Sequence, residues 1–295
     1  MDLDIAPGLS SDAPIVALES TVIAHGLPWP GNLTLARRLE AVVREEGAIP
    51  ATVAVLGGRM RVGLDDAELE HLARSSSVRK LTVRDIPIAI ADGADGATTV
   101  SATMRIAHAA GIRVFATGGI GGVHRGDHTD VSADLPELAR TPMIVVCAGA
   151  KAILDLPATV EWLETHGVPV LGWGTSEFPA FFTRSSGLPL ETRVEDAAQV
   201  AAIAGAAWRN EIASAVLVTV LAPEGSAMPA ERMDAAIAEA LARADREGVR
   251  GKATTPFLLK AVAEVSGGES VAANLALLEQ NARIAARIAK VLVPQ

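Results

Sequence analysis

Tyrosine is absent from this chain, aromatic residues make up 3% of it, and there is a single cysteine, Cys147. A lone cysteine excludes an intrachain disulfide and fits a reducing cytoplasm. Scarce aromatics leave Ala, Val, Ile and Leu to build the core. No apolar run reaches bilayer-spanning length. The start, "MDLDIAPGLSSDAP", is acidic and lacks the apolar stretch of a signal peptide. Positive charge is in deficit: 26 Lys and Arg stand against 35 Asp and Glu, a formal net charge of −9. That argues against nucleic acid or an anionic membrane as partner, while a local group of donors still suits a small anion. Familiar catalytic signatures are missing too. HExxH, CxxC and GxSxG do not occur, G-x-G-x-x-G fails at His124, and the Gly251-Lys252 pair lacks the rest of a P-loop.

What is present is an alternation of short apolar runs with amphipathic stretches over 295 residues. Strands are expected at 14–18, 52–56, 59–64, 80–83, 86–90, 112–116, 143–148, 168–173 and 215–221. The 52–56 and 59–64 pair should form a hairpin around Gly57-Gly58. Helices are expected at 33–48, 65–74, 98–111, 157–167, 195–210, 229–248, 254–268 and 270–292, several with Pro or Thr at the start and Gly at the stop. This grammar predicts an α/β fold, with a mostly parallel central sheet covered on both faces and a helix-rich C-terminal half. Residues 1–12 read as a disordered leader and 13–295 as one domain.

In such sheets ligands bind beyond the carboxyl ends of the strands. Reactive residue types gather there: Glu19 after "PIVAL", Thr117 and the loop "GGIGGVHRG" after "IRVFA", and Lys151 after "MIVVCA". Glycines at 118, 119, 121 and 122 followed by His124-Arg125 suggest an anion cradle, where backbone N–H groups approach an oxygen closely; a plain tight turn is the ordinary alternative. Lys151 sits among small apolar residues, which favours a desolvated, nucleophilic amine, although a lone lysine there can also snorkel to solvent. Glu19 is a candidate proton donor or a turn cap, and Lys80 a phosphate ligand or an edge charge. Asp127, His128 and Asp130, before "SADL" (132–135), suggest a water-rich Mg²⁺ or Mn²⁺ site or a polar loop. Asn274 and Asn281 lie beside an apolar helix stripe; for Asn281 an interhelical hydrogen bond is expected. His25 is near these residues without an assigned role.

Taken together, these segments resemble the pseudouridine-5′-phosphate glycosidase family. The likeness runs from "ALESTVIAHGLPWPGN" (17–32) through "GATTVSATM" (96–104), "FATGGIGGVHRG" (115–126), "SADL", "CAGAKAILDL" (147–156), "LETHGVPVLGW" (164–173) and "GKATTPFLL" (251–259) to "ESVAANLALLEQNA" (269–282). The resemblance implies a three-layer α/β/α catalytic domain, a bound Mn²⁺ (Mg²⁺ or another divalent ion being possible), a homotrimer and a cytoplasmic location. It implies cleavage of pseudouridine 5′-phosphate with water into uracil and ribose 5-phosphate. By the same resemblance Lys151 is the covalent nucleophile, Glu19 the proton donor and Asp130 the metal ligand. Lys80 matches a substrate-binding lysine, Val100, Ser132, Ala133 and Asp134 match substrate-contact positions, and His124 and Asn274 fall at positions of the family's site; from the residues themselves, Thr117 joins the glycine loop and His124 as an expected part of a phosphate cradle.

The chemistry suits those residue types. An ordinary glycosidase protonates a leaving oxygen between two carboxylates. Here the scissile bond joins C1′ to carbon C5 of uracil, which has no such lone pair. An amine that forms an imine at C1′ supplies an electron path instead, and one acid completes the minimum set. Two other readings stand beside this one: a different lysine Schiff-base enzyme on a sugar phosphate, aldolase-like or acting in pigment biosynthesis, and a non-catalytic sugar-phosphate-binding protein.

Overall fold

The protein is described from a computed structural model that covers residues 3–10, 12–126, 128–249 and 254–292. Its first half runs β1 (Leu3–Ile5), β2 (Ile15–Leu18), α1 (Thr21–His25), α2 (Gly31–Glu45), β3 (Ile49–Leu56), β4 (Arg59–Val62), α3 (Asp66–Arg74), β5 (Arg79–Leu81), α4 (Ile86–Ala91), β6 (Gly96–Thr98), α5 (Val100–Ala109) and β7 (Val114–Ala116). There follow β8 (Val123–His124), α6 (Asp134–Leu138), β9 (Ile144–Cys147), β10 (Leu154–Asp155), α7 (Leu156–Thr165), β11 (Val170–Trp173), β12 (Thr192–Val194), α8 (Ala197–Arg209), β13 (Val216–Val220), α9 (Ala230–Arg246), α10 (Thr254–Val265) and α11 (Glu269–Leu292).

Eleven of these strands form one sheet in the order β1-β4-β3-β2-β7-β9-β13-β11-β12, with β6 beside β3 and β5 beside β6. The central neighbours β3, β2, β7, β9, β13 and β11 are all parallel. Their side chains, such as Val16, Ala17, Phe115, Val145, Val146 and Val218, are fully buried, as a sheet covered on both faces requires. Helix α11 packs on β2, β7 and β9 with α2 and α8 beside it, while α5 lies against β2 and β3 with α6 next to it. The architecture is the expected three-layer α/β/α with a mostly parallel sheet.

The order of the strands locates the site. From β2 the chain moves outward to β3 on one side, then returns to place β7 and β9 on the other. The β2/β7 boundary is therefore the topological switch point, the place beyond the strand ends where such folds bind ligands. Leu18 is in register with Ala116, and Ala116 with Val146. Glu19, Thr117 and the segment leading to Lys151 thus leave the sheet side by side.

Three expectations are corrected. Part of the leader is a strand: β1 pairs in parallel with β4, and Asp4 bonds Arg59 at 2.7 Å and Arg61 at 3.3 Å. The Arg59 hydrogen bond first, then Arg61, holds the Asp4 carboxyl down to about 2. The acidic start is matched by arginines distant in sequence. Residues 86–90 form helix α4 rather than a strand. Asp85 bonds back to the Thr82 N–H and hydroxyl, and Pro87 occupies the first helical turn, where a missing N–H costs nothing. Asn281 reaches a loop rather than another helix, as described below. The hairpin holds: β3 and β4 are antiparallel, and Gly57 and Gly58 both take positive φ (54° and 75°), as a two-residue hairpin turn demands.

Candidate active site

Glu19 is the centre of the charged cluster. Its carboxyl accepts the Thr117 hydroxyl. Burial raises its pKa above the ordinary glutamate value, and nearby Asp134 adds to the rise; Lys151, the Thr117 hydroxyl and Lys80 oppose it. The net direction is up, so Glu19 keeps a proton to higher pH than a solvated glutamate. Lys151 Nζ donates to the Gly119 carbonyl at 2.7 Å. The two reactive candidates are thus drawn together through the loop that follows β7.

The glycines of that loop answer to crowding. A Cβ on Gly121 would overlap the Ser132 hydroxyl and come within 2.9 Å of the Asp134 carboxylate. On Gly119 it would lie 2.5 Å from the Phe181 ring, and on Gly122 it would strike Thr159. On Gly118 it would meet Leu278 at 3.2 Å and the Asn274 side-chain oxygen at 3.4 Å. Four separate elements press on the loop, and at Gly119, Gly121 and Gly122 there is no room for a Cβ. Several loop amides are already used: Ile120 N–H donates to Gly149 O and Gly121 N–H to Asp134. Among the described residues the Gly118 and Gly119 N–H groups have no acceptor.

Asp134 is a buried brace. Its two oxygens accept the N–H groups of Ser101, in the first turn of α5, and of Gly121, at 2.9 and 2.8 Å. That bond ties the glycine loop to the helix that begins at the buried Val100. Ser132 Oγ accepts the Asp134 N–H at 3.3 Å, and Ala133 immediately precedes α6. His124 ends β8, paired with Leu154 just beyond Lys151, and its N–H donates to the Asp130 carbonyl. Lys80, in β5, is close enough to act electrostatically on both Glu19 and His25. His25 is lowered from the ordinary histidine value by desolvation of its ring, then by Lys80.

Some residues act differently from expectation. Arg125 bonds the carbonyls of Leu154 and Ala152 at 3.0 and 3.2 Å, so it braces the segment after Lys151. The Thr117 hydroxyl spends its proton on Glu19. Asn281, buried, donates to the carbonyls of Thr117 (2.8 Å) and Gly118 (3.3 Å). Helix α11 thereby holds the root of the glycine loop. A buried amide on an apolar stripe was the sequence signal, but its partner lies 164 residues away. Cys147 is fully buried, and burial pushes its thiol up to about 12, which leaves no rival nucleophile at the end of β9.

Asp130 is exposed, and among the described residues no three His, Cys, Asp or Glu side chains are placed to hold a metal. Asp127 and residues 251–253 lie outside the described residues. Among the described residues the donor set fits a divalent ion as one carboxylate completed by water and ligand oxygens.

A half-buried acid and a lysine within electrostatic reach of it lie at the switch point of a parallel sheet, the place where α/β proteins of this class bind their ligands. The family described as "Indigoidine synthase A like protein" matches residues 4–291, and this chain belongs to it. A curated relative from Chloroflexus aurantiacus, named pseudouridine-5′-phosphate glycosidase, is 56% identical over 97% of this chain and 96% of its own. Another of the same name, from Herpetosiphon aurantiacus, is 53% identical over 98% and 96%. Among solved structures, the prealnumycin C-glycosynthase AlnA in complex with ribulose 5-phosphate is 42% identical. It superposes with a TM-score of 0.91, covering 99% of this chain and 97% of that one.

Proposed function

We propose that the chain is a pseudouridine-5′-phosphate glycosidase, cleaving the C1′–C5 bond with water to give uracil and ribose 5-phosphate. The observation that carries this reading is the convergence of Glu19, raised in pKa, with Lys151 and Lys80 at one switch point. The names of relatives more than 50% identical along nearly the whole chain agree with it.

In this scheme Lys151 Nζ bonds to C1′ and the ring oxygen leaves C1′, taking a proton to become the 4′-hydroxyl. C5 of uracil then takes a proton. The C1′–C5 electron pair returns to the uracil ring while the nitrogen lone pair forms C1′=N. Water adds to that imine, releasing the C1′ aldehyde of ribose 5-phosphate and the free amine. Glu19 is the proton donor, and its burial favours the protonated form. Lys80, His124, Asn274 and the Gly118 and Gly119 N–H groups hold the phosphate. Val100 and the Ser132–Asp134 turn line the rest of the substrate site. Asp130 would hold a Mn²⁺ ion, completed by water and ligand oxygens, which would supply positive charge to the bound anion. The working enzyme is a cytoplasmic homotrimer.

Uracil release from pseudouridine 5′-phosphate and from pseudouridine tests this directly. The chain is net acidic, so binding a dianion depends on local charge-assisted donors, each about twice as strong as a neutral hydrogen bond. Removing the phosphate should cost roughly a thousandfold in kcat/KM, about 4 kcal/mol of transition-state stabilisation. No uracil from the nucleotide would sink the proposal. Equal kcat/KM on both substrates would remove the phosphate site. A bond-forming role like that in the name of AlnA predicts instead a dependence on an acceptor other than uracil.

The metal is tested separately. Asp130→Ala should weaken Mn²⁺ binding, followed by the electron paramagnetic resonance of free Mn²⁺, and excess Mn²⁺ should partly restore uracil release. Unchanged affinity would place the ion elsewhere.

A further inference from the structure

Phe181 is buried, with 2% of its surface exposed, yet its backbone sits at φ 63°. An aromatic residue rarely enters this left-handed region, and persists there only when its surroundings over-determine it. They do so here. Phe181 lies in the loop between β11 and β12, which leaves the sheet at the same carboxyl edge as Lys151. Its turn is closed by Thr183 N–H on Ala180 O, and Met228 N–H bonds Phe182 O at 2.9 Å. Arg184 reaches the Ala222 carbonyl at 2.7 Å, beyond β13. Inside the loop one oxygen of Glu177 accepts the Ser185 hydroxyl and the N–H groups of Ser186 and Gly187. The Ser185 hydroxyl and the Gly187 N–H, more than burial can oppose, keep that carboxyl below the ordinary glutamate value, so it stays an acceptor.

This bracing delivers the Phe181 ring onto Gly119. The ring edge occupies the place a side chain of residue 119 would fill, and the neighbouring Phe182 stacks edge-on at 4.5 Å. Gly149, two residues before Lys151, is walled by the same loop: a Cβ there would lie 2.6 Å from the Pro179 carbonyl. The Gly119 carbonyl is the group that holds Lys151 Nζ. We propose that Phe181 is a positioning residue. Its ring fixes the Gly119 peptide so that this carbonyl aims the Lys151 amine at the reacting carbon. The proposal rests on Lys151 being the nucleophile. Phe181 itself touches no reacting atom.

The test uses ribose 5-phosphate as probe. Its open-chain aldehyde condenses with the Lys151 amine, releasing water, and borohydride reduces the imine to a stable secondary amine. Trapping rates are measured against ribose 5-phosphate concentration for wild type, Phe181→Gly and Phe181→Leu, each checked for a cooperative thermal melt. Glycine accepts the positive φ and removes only the ring. Leucine keeps apolar bulk if the glycine variant fails to fold. The limiting trapping rate per folded molecule should fall by about a hundredfold for glycine and less for leucine, since small displacements of a reacting group carry costs of that order. The half-saturating concentration should change far less than the limiting rate, within roughly tenfold, because of the groups proposed to hold the phosphate only the Gly119 N–H lies against the Phe181 ring. A merely structural role would lower the melting temperature and leave the trapping rate of the folded protein unchanged, and that result overturns the proposal. A wild-type chain that traps no probe at Lys151 overturns the nucleophile assignment and this inference with it.

Discussion

Lys151→Ala should lower uracil release from pseudouridine 5′-phosphate on the order of ten-thousandfold or more, the scale seen when a covalent nucleophile is removed. The companion substitution is Lys151→Arg. A guanidinium keeps the positive charge beside Glu19 but is never deprotonated, so it cannot attack C1′. If covalent chemistry is the role of Lys151, both variants should be equally inactive. If Lys151 serves only as a cation for the phosphate or for Glu19, the arginine variant should retain much of the activity. The two variants should differ in one respect. Lys151 opposes the upward shift of Glu19, so the alanine variant should move that carboxyl further up, visible in the carboxyl region of its infrared titration, while arginine should not.

Glu19→Gln should remove a hundredfold to ten-thousandfold of turnover, the usual range for a positioned acid or base, with KM little changed. Burial raises the Glu19 pKa, so the proton-donating form persists above the ordinary glutamate range and is lost as pH rises through the raised value. The rate should fall on that alkaline side, and the glutamine variant should lose this limb. Stability follows the same linkage. The folded state binds the proton more tightly than the unfolded chain. Glu19 therefore costs the fold nothing below its ordinary value, and stability declines as pH rises from there through the raised pKa. At neutral pH the glutamine variant should melt higher than wild type, and at acid pH the difference should vanish. A variant that loses activity and stability together at neutral pH would make Glu19 a structural residue.

Much of this was legible in the sequence because burial leaves a plain mark. The runs around Val16, Phe115 and Val145 are apolar on both faces, as only a covered parallel strand requires, and their carboxyl ends point to Glu19, Thr117 and Lys151. The "IPIAI" segment misled because its alternation of large and small apolar residues suits a strand, while the Thr82–Asp85 bonds that close the turn just before the helix are local and polar. The glycine loop looked like a ligand cradle from its composition. Its glycines are equally the imprint of Phe181, Ser132, Thr159 and Asn274, which approach it from four separate segments of the chain. Those contacts, like the bonds of Asn281 to the Thr117 and Gly118 carbonyls and of Arg125 to the lysine segment, exist only after the chain has folded. Nothing in the local sequence around Phe181 announces that its backbone is forced into a left-handed conformation.

The most direct measurement is to treat the wild-type protein with ribose 5-phosphate and borohydride, digest it, and map the modified peptide by mass spectrometry. The account predicts one stable adduct, on Lys151, in the peptide that follows Cys147. An adduct on Lys80 or Lys252, or no adduct while uracil is still released from pseudouridine 5′-phosphate, would contradict it.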